Sequence, residues 1–151
     1  MIVIPFSFVH SDLKSYLCRI ANPAGRNGTG RSNNRKIKNM KLLFVCSANK
    51  RRSQTAEYLY SNRPGLEVTS AGVAPFAETP VSDELLRWAD VILCMESRHQ
   101  QIIEEKFADA ISGKVIDYLD IPNVFDRKNP SLEELIIEKT DARLREIQGK
   151  F

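Results

Sequence analysis

Short apolar runs and longer segments of helical character alternate along residues 40–151. The runs Leu42–Val45 and Val91–Met95 are continuous, which is typical of strands covered on both faces of a sheet. Two further runs complete a set of four strands, and segments with apolar residues at helical spacing separate them. The predicted strands are Leu42–Val45, Leu66–Ser70, Val91–Met95 and Lys114–Leu119, and the predicted helices are Ser53–Ser61, a segment opening at Thr79–Pro80, Ser97–Phe107 and a last helix opening at Asn129–Pro130.

This alternation predicts an α/β fold: a small doubly wound, flavodoxin-like sheet of four parallel strands with helices on both faces. In such folds ligands bind beyond the carboxyl ends of the strands. The loops after the first, third and fourth strands should therefore meet at one edge of the sheet. Ser97 and Gln100 fit a capping box at the start of the third helix, and we expect His99, between them, to be exposed and without a role.

The first 39 residues differ in composition from the rest. They carry seven basic residues and one acidic residue, whereas residues 40–151 carry 15 basic and 18 acidic residues. Residues 21–39 are almost devoid of apolar side chains, which indicates disorder. We therefore predict two regions, a basic, disordered extension over residues 1–39 and one folded domain over residues 40–151. Since Met40 directly precedes the first strand, the extension is interpreted as upstream sequence or a translation start assigned too early.

The overall composition is that of an ordinary soluble globule, with 42% hydrophobic and 27% charged residues. The three cysteines show no disulfide framework or metal-type spacing, and with only two histidines we expect no metal or cofactor. A reducing, cytoplasmic location follows from this use of cysteine. We expect no membrane association, since no apolar run approaches spanning length. We also expect no nucleic-acid partner, since no aromatic residues are interleaved with the basic ones.

The segment Lys41–Tyr60 carries the candidate chemistry. A strand ends at Cys46, a polar loop follows, and a helix begins near Arg52 and Ser53. Loop N–H groups and a helix N-terminus together make an anion cradle, and arginine grips two phosphate oxygens at once. A cysteine in this setting favours the thiolate, which is the nucleophilic form. The alternative is that Cys46 is only a buried core cysteine at a strand end.

Within this loop, Ser53 is placed to hydrogen-bond the sulfur and Asn49 to brace the backbone. The phosphate-binding residues predicted from the loop are Ser47, Ala48, Asn49, Lys50, Arg51, Arg52 and Ser53.

The run from Cys46 to Ser53 resembles the C-x5-R-S phosphate loop of the low-molecular-weight protein tyrosine phosphatases. Ala56-Glu57, Ser70-Ala71-Gly72 and Asp90–Ser97 are similar to further motifs of that family, most closely of a compact bacterial-type branch. The resemblance implies a phosphomonoester hydrolase that acts through a cysteinyl-phosphate intermediate. Its catalytic residues would be Cys46, Arg52 and a general acid, and its partner a phosphotyrosine protein or a small aryl phosphate.

The resemblance places the general acid in the loop after the fourth strand. Asp120 is the first candidate and Asp126 the second, although Asp120 also fits a simple turn residue. Alignment from the last helix backward puts Asn123 at the acid position, and asparagine cannot donate a proton. The resemblance also implies aromatic walls for the substrate ring at Phe76 and Phe125, with packing against the core as the alternative for each.

Two departures from the family pattern concern the phosphate loop itself. Lys50 and Arg51 occupy positions that are usually smaller or apolar, and the second cysteine that often protects the nucleophile is absent. The apolar surroundings of Cys94 indicate a packing role.

Two other functions of the phosphate loop stay open. One is a phosphate or phosphoprotein-binding module with poor turnover, and the other is a phosphocysteine carrier.

Overall fold

The computed structural model describes residues 39–126 and 129–148. The predicted disorder of residues 1–39 therefore falls, apart from Asn39, outside the described residues. The division into an extension and a domain at residue 40 stays a prediction.

The described residues form a parallel sheet of four strands in the order β2-β1-β3-β4. Every neighbouring pair runs parallel, so the predicted doubly wound, flavodoxin-like fold is confirmed. The strands begin and end within two residues of their predicted bounds. They are β1 Met40–Cys46, β2 Leu66–Gly72, β3 Val91–Cys94 and β4 Val115–Tyr118.

Helices connect the strands and cover both faces of the sheet. Within the described residues these are α1 Arg52–Tyr60, α2 Asp83–Trp88, α3 Ser97–Lys106 and α4 Pro130–Gln148. Pro130 opens α4 as predicted, since proline lacks the N–H that a first helical residue leaves unpaired.

The central strand β1 divides its side chains between two apolar cores. Leu42 and Phe44 pack with α1 and α4, where Tyr60 and Ile136 are buried. Leu43 and Val45, on the other face, pack with α2 and α3. A continuous apolar run is therefore needed here, because successive side chains of a strand point to opposite faces and both faces are covered.

The predicted start of the second helix is wrong by several residues. Pro80 forms a bridge with Gly72 rather than a first helical turn. The backbone of Gly72 donates to the Thr79 carbonyl and accepts from Val81, so this segment is held in extended form beside β2. The helix begins only at Asp83, where the Ser82 side chain accepts from the Leu85 N–H at 3.2 Å and serves as the N-cap.

The predicted capping box of α3 is displaced by one residue. Glu96, not Ser97, is the N-cap, and its reciprocal partner is His99 rather than Gln100. The prediction that His99 is exposed is also wrong, because its side chain is fully buried.

Across residues 39–126 and 129–148, none of the helices combines the length and the apolar character needed to cross a membrane.

Candidate active site

The loop from Cys46 to Arg52 surrounds a cavity of about 250 Å³. Cys46 is the last residue of β1 and Arg52 the first residue of α1, so the loop turns the chain directly from strand to helix. Arg51, the N-cap of α1, makes no side-chain cap hydrogen bond. The residues that line the cavity are Cys46, Ser47, Ala48, Lys50, Arg51, Arg52 and Asn123.

The backbone of this loop is oriented by the segment that follows β2. The carbonyls of Cys46, Ser47 and Ala48 accept from the N–H groups of residues 73, 74 and 78 at 2.9, 2.9 and 3.1 Å. In a trans peptide the next N–H points opposite to the carbonyl. The N–H groups of residues 47–49 therefore point away from that segment, and that of Asn49 donates to Cys46 Sγ at 3.2 Å. Backbone donors directed at a sulfur form an anion cradle.

Gly72 makes this close approach possible. A Cβ atom at this position would lie 2.6 Å from the Ser47 carbonyl oxygen and 2.8 Å from the Asn49 N. Both are backbone atoms of the phosphate loop and cannot swing aside. Only glycine therefore fits between β2 and the loop.

Asn49 and Ser53 support the loop from behind, since both are buried and neither lines the cavity. Asn49 has φ of 53°, a left-handed conformation that asparagine tolerates. Ser53 Oγ lies 2.9 Å from Cys46 Sγ and 2.9 Å from Asn49 Oδ1. A hydroxyl has one proton, so it serves one of these acceptors at a time. A thiolate can only accept, and it would therefore take the Ser53 proton while the Asn49 amide turns its NH₂ toward the hydroxyl.

Arg52 joins the three loops that the sequence predicted to meet at this edge. Its guanidinium is buried, forms an ion pair with Glu96 after β3, and donates to the Ile121 carbonyl after β4 at 2.7 Å. Both contacts are made by Nη1. Since a guanidinium has five N–H donors, Nε and Nη2 retain donors for an anion in the cavity that Arg52 lines.

Glu96 is shared between two arginines. Its Oε1 also accepts from Arg98 Nη2 at 3.1 Å. Burial alone would raise the pKa of Glu96, but hydrogen bonds from Arg98 and Arg52 and the charges of both arginines outweigh it and lower the pKa below its usual range. Glu96 is thus held as a carboxylate that fixes Arg52 in place.

His99, like Glu96 and Arg98, is a site residue that sequence reasoning missed. The Glu96 N–H donates to its Nδ1 at 3.1 Å, so the ring proton lies on Nε2 and is donated to Ser47 Oγ at 2.9 Å. Burial, followed by the nearby charges of Arg52 and Arg98, lowers the pKa of His99 to about 4. The imidazole is therefore neutral near pH 7 and has a fixed tautomer.

Ser47 receives two donors on its hydroxyl oxygen. Besides His99, the Nη2 of Arg98 donates to Ser47 Oγ at 3.2 Å. With both lone pairs engaged, the hydroxyl proton of Ser47 is directed elsewhere. Since Ser47 lines the cavity, that proton is available to an oxygen bound there.

The loop after β4 contributes Asn123 to the cavity rather than either predicted acid. Asp120 is exposed and has φ of 56°, and its carbonyl accepts from Lys139 on α4. The carboxylate of Asp126 lies 3.8 Å from Arg51 Nη1, and 93% of its side chain is exposed. The role of general acid for Asp120 or Asp126 stays a prediction, and neither lines the cavity.

The two predicted aromatic walls lie in different surroundings. Phe76 is 76% exposed in the segment bonded to the phosphate loop, and it does not line the cavity. Phe125 is half-buried and packs against the core formed by β1, α1 and α4, which is the packing alternative. Lys50 and Arg51 are exposed and line the cavity, so its entrance is positively charged.

Cys94 belongs to the core rather than the site. It is fully buried in β3, and burial, with the negative charges of Glu104 and Asp117, raises the pKa of its thiol. It packs with Leu43 and Val45 on the face of the sheet covered by α2 and α3. A neutral thiol in this position is inert.

Comparison with known proteins identifies bacterial phosphatases as relatives. No protein-family profile matches the chain. A protein-arginine-phosphatase of Bacillus subtilis is 29% identical, over 64% of this chain and 92% of the relative. A protein-arginine-phosphatase of Geobacillus stearothermophilus is 32% identical over 46% of this chain, and the match spans 64% of that relative's length.

Solved structures share the fold. The YwlE arginine phosphatase from Geobacillus stearothermophilus superposes with a TM-score of 0.54 at 26% identity, over 74% of this chain and 96% of its own. A low-molecular-weight protein tyrosine phosphatase from Streptococcus pyogenes, SP-PTP, gives a TM-score of 0.57 at 14% identity, over 71% and 92%. At that identity the second match shows the fold alone.

Cys46 ends the central strand, the Asn49 N–H donates to its sulfur, and Arg52 lines the same cavity. In sequence the chain is similar to bacterial protein-arginine-phosphatases, and in fold it is similar to these and to the low-molecular-weight protein tyrosine phosphatases.

Proposed function

We propose that this chain hydrolyses phosphoryl groups on proteins through a phosphocysteine formed on Cys46. The observation that carries the proposal is the N–H group of Asn49 directed at Cys46 Sγ on a cavity that Arg52 also lines. A sulfur placed in a ring of donors is stabilised as an anion, and the same donors bind phosphoryl oxygens.

The first step is an in-line displacement at phosphorus. Cys46 Sγ attacks, an S–P bond forms, and the bond from phosphorus to the leaving group breaks with its electron pair on the leaving group. Arg52 and the loop N–H groups hold the three other phosphoryl oxygens. Water then attacks phosphorus and loses a proton to a phosphoryl oxygen or to solvent, and the S–P bond breaks with its electron pair on sulfur. Ser53 donates a hydrogen bond to the thiolate that departs.

Phosphotyrosine is the substrate that the sequence resemblance predicts. The positive charge of Lys50 and Arg51 at the entrance supports an anionic protein segment around the phosphorylated residue. Phosphoarginine is the second candidate, since both named relatives are protein-arginine-phosphatases.

The test compares the full chain with Cys46→Ser and, as a matched control, Cys94→Ser. We expect the wild type to release phosphate from p-nitrophenyl phosphate and, on rapid quenching, to show a phosphocysteine that mass spectrometry assigns to Cys46. Cys46→Ser should bind phosphate without turnover. Because Cys94→Ser can lower stability through the core, its activity is compared at a temperature where circular dichroism shows both variants folded.

Three outcomes distinguish the functions. Turnover that depends on Cys46 supports the phosphatase, and a panel of phosphotyrosine and phosphoarginine peptides then ranks the two substrates. Phosphate binding without a phosphocysteine or turnover would instead support a binding module. A phosphocysteine that passes its phosphoryl group to a second protein and not to water would support a carrier.

A further inference from the structure

We propose that this site releases the leaving group of its substrate without a proton from the protein, and therefore selects phosphoryl compounds whose leaving groups are weakly basic. The substrate class that fits best is the acyl phosphates, followed by esters of acidic phenols. The inference rests on the proposed function, since it assumes a phosphocysteine on Cys46.

The composition of the cavity wall carries the inference. Among the residues that the structure describes, no carboxylic acid lines the cavity. The loop after β4 contributes the amide of Asn123. An amide donates a hydrogen bond to a departing oxygen but keeps its proton.

Neither predicted acid lines the cavity. The backbone of Asp120 is held in a left-handed turn, and its carbonyl accepts from Lys139 on α4. The carboxylate of Asp126 is paired with Arg51 and is almost completely exposed to solvent. A general acid must come within hydrogen-bond reach of the departing atom, directly or through one water.

The remaining charged groups of the wall stabilise anions instead. Lys50, Arg51 and Arg52 line the cavity, and an arginine guanidinium does not give up its proton in proteins. A leaving group that departs as an anion is therefore met by positive charge. The exposed ammonium of Lys50 is the one group of this wall whose proton transfer has to be tested directly.

The first chemical step then depends on the leaving group itself. When Cys46 Sγ forms its bond to phosphorus, an acyl phosphate releases a carboxylate that takes the electron pair and needs no proton. The ordinary pKa of a carboxylic acid is about 4, whereas that of a phenol is about 10. A phenolate of the tyrosine type is therefore the more difficult of the two to release unprotonated, and an alkoxide is more difficult still.

Hydrolysis of the phosphocysteine, the second step, is also slowed when the protein supplies no acid or base. Water that attacks the phosphocysteine must lose a proton, and no carboxylate of the described wall is placed to take it. The proton passes to a phosphoryl oxygen or to solvent. The phosphocysteine should therefore accumulate, and product release from a reactive substrate should show a burst equal to one leaving group per active site.

The experiment measures kcat/KM of the full chain for acetyl phosphate, p-nitrophenyl phosphate and phenyl phosphate. The same series is measured for Asn123→Asp and for Asn62→Asp, which adds the same charge in the exposed turn after α1. Spontaneous hydrolysis of acetyl phosphate is subtracted with Cys46→Ser. Lys50→Met, Asp120→Asn and Asp126→Asn complete the set.

We expect the wild-type values to fall steeply from acetyl phosphate to phenyl phosphate. Because a positioned acid contributes about 10²- to 10⁴-fold, Asn123→Asp should raise the ratio of the phenyl phosphate value to the acetyl phosphate value by about 100-fold. In Asn123→Asp, turnover of phenyl phosphate should also fall as the pH rises, because the new carboxylic acid must be protonated to donate. Asn62→Asp should do neither.

Two results would overturn the inference. One is a wild-type series in which phenyl phosphate is turned over as fast as acetyl phosphate. The other is a selective loss of phenyl phosphate turnover in Lys50→Met, Asp120→Asn or Asp126→Asn, which would identify that residue as the acid. Failure of the proposed function is distinct from both, since no substrate would then be turned over and no phosphocysteine would form.

Discussion

The Nε2 of His99 lies 2.9 Å from the Oγ of Ser47, the residue that follows the nucleophile. This contact links the start of α3 to the phosphate loop across the carboxyl edge of the sheet. Because the Nδ1 of the same ring accepts from the Glu96 N–H, the proton on Nε2 is fixed. His99 therefore positions Ser47, and Ser47 in turn presents its own proton to the cavity.

His99→Leu should lower kcat/KM for an aryl phosphate by up to about tenfold, since a hydrogen bond of this kind contributes about 1 kcal/mol. His99→Gln should recover part of the loss, because its amide can donate to Ser47 although it cannot also accept from Glu96. Steady-state kinetics of both variants checks the prediction. Equal losses in the two variants, with lowered thermal stability in both, would indicate a packing role alone.

Stability should depend on pH through the same side chain. Burial and the charges of Arg52 and Arg98 lower the folded pKa of His99 to about 4, below the ordinary value of about 6.5. Between these values the unfolded chain binds a proton that the folded chain does not, so the free energy of unfolding falls as pH falls. The full effect is at most about 3 kcal/mol. This loss of stability is absent above about pH 6.5 and is nearly complete near pH 4.

Urea denaturation of the wild type and of His99→Gln at several pH values between 4 and 7.5 measures this contribution. Every other group is shared by the two proteins, so the difference between the two curves isolates His99. The wild type should lose more stability than the variant between pH 6.5 and 4. Parallel curves would contradict a neutral, buried imidazole.

The sequence predicted the sheet well because its strands are unambiguous. The runs that contain Leu42 and Ile92 must be buried on both faces, and this condition alone requires the central strands of a doubly wound sheet. The spacing of Cys46 and Arg52 likewise placed the phosphate loop at the junction of a strand and a helix. Local pattern was sufficient in both cases.

Contacts between distant segments were less accessible from the sequence. His99 lies in a run of polar residues, Ser97–Gln101, that predicts an exposed helix start, and its burial depends on Ser47, 52 positions earlier. The capping box was displaced because Glu96 and Ser97 are both able to cap a helix. Glu96 followed by a residue with ring nitrogens three positions later was the available signal. Asn123, by contrast, was already suggested by counting back from α4.

Gly72→Ala should damage the site without any change in a residue of the cavity wall. The added Cβ would lie 2.6 Å from the Ser47 carbonyl and 2.8 Å from the Asn49 N, so the loop backbone must move. Because the Asn49 N–H donates to the sulfur, we expect weaker phosphate binding and a loss of turnover of at least about tenfold. The measurement is phosphate affinity by calorimetry beside kcat for an aryl phosphate.

Gly113→Ala is the matched control for Gly72→Ala. Gly113 lies before β4, where a Cβ would meet no atom within 4 Å. Its φ of 73° makes alanine strained there as well, so Gly113→Ala should also lower the stability of the protein. It leaves the phosphate loop unchanged. Loss of phosphate affinity in Gly113→Ala to the same extent as in Gly72→Ala would show that general destabilisation is the cause.

Glu96→Gln should make the stability of the protein more dependent on phosphate. The substitution keeps the size of the side chain but removes the negative charge that pairs with Arg52. A buried guanidinium without a counter-charge is costly, and we expect a loss of about 1–3 kcal/mol, since Glu96 is only partly buried. Phosphate in the cavity supplies the missing charge, so it should restore part of that loss.

The measurement for Glu96→Gln is the rise in Tm between zero and saturating phosphate. The rise should be larger for Glu96→Gln than for the wild type, because a ligand that binds more tightly stabilises the folded state more at the same concentration. Glu104→Gln removes the same charge from an exposed position of α3, where its partner is Gln100, and should behave like the wild type. An equal phosphate effect in all three proteins would mean that Arg52 does not bind the anion in the cavity.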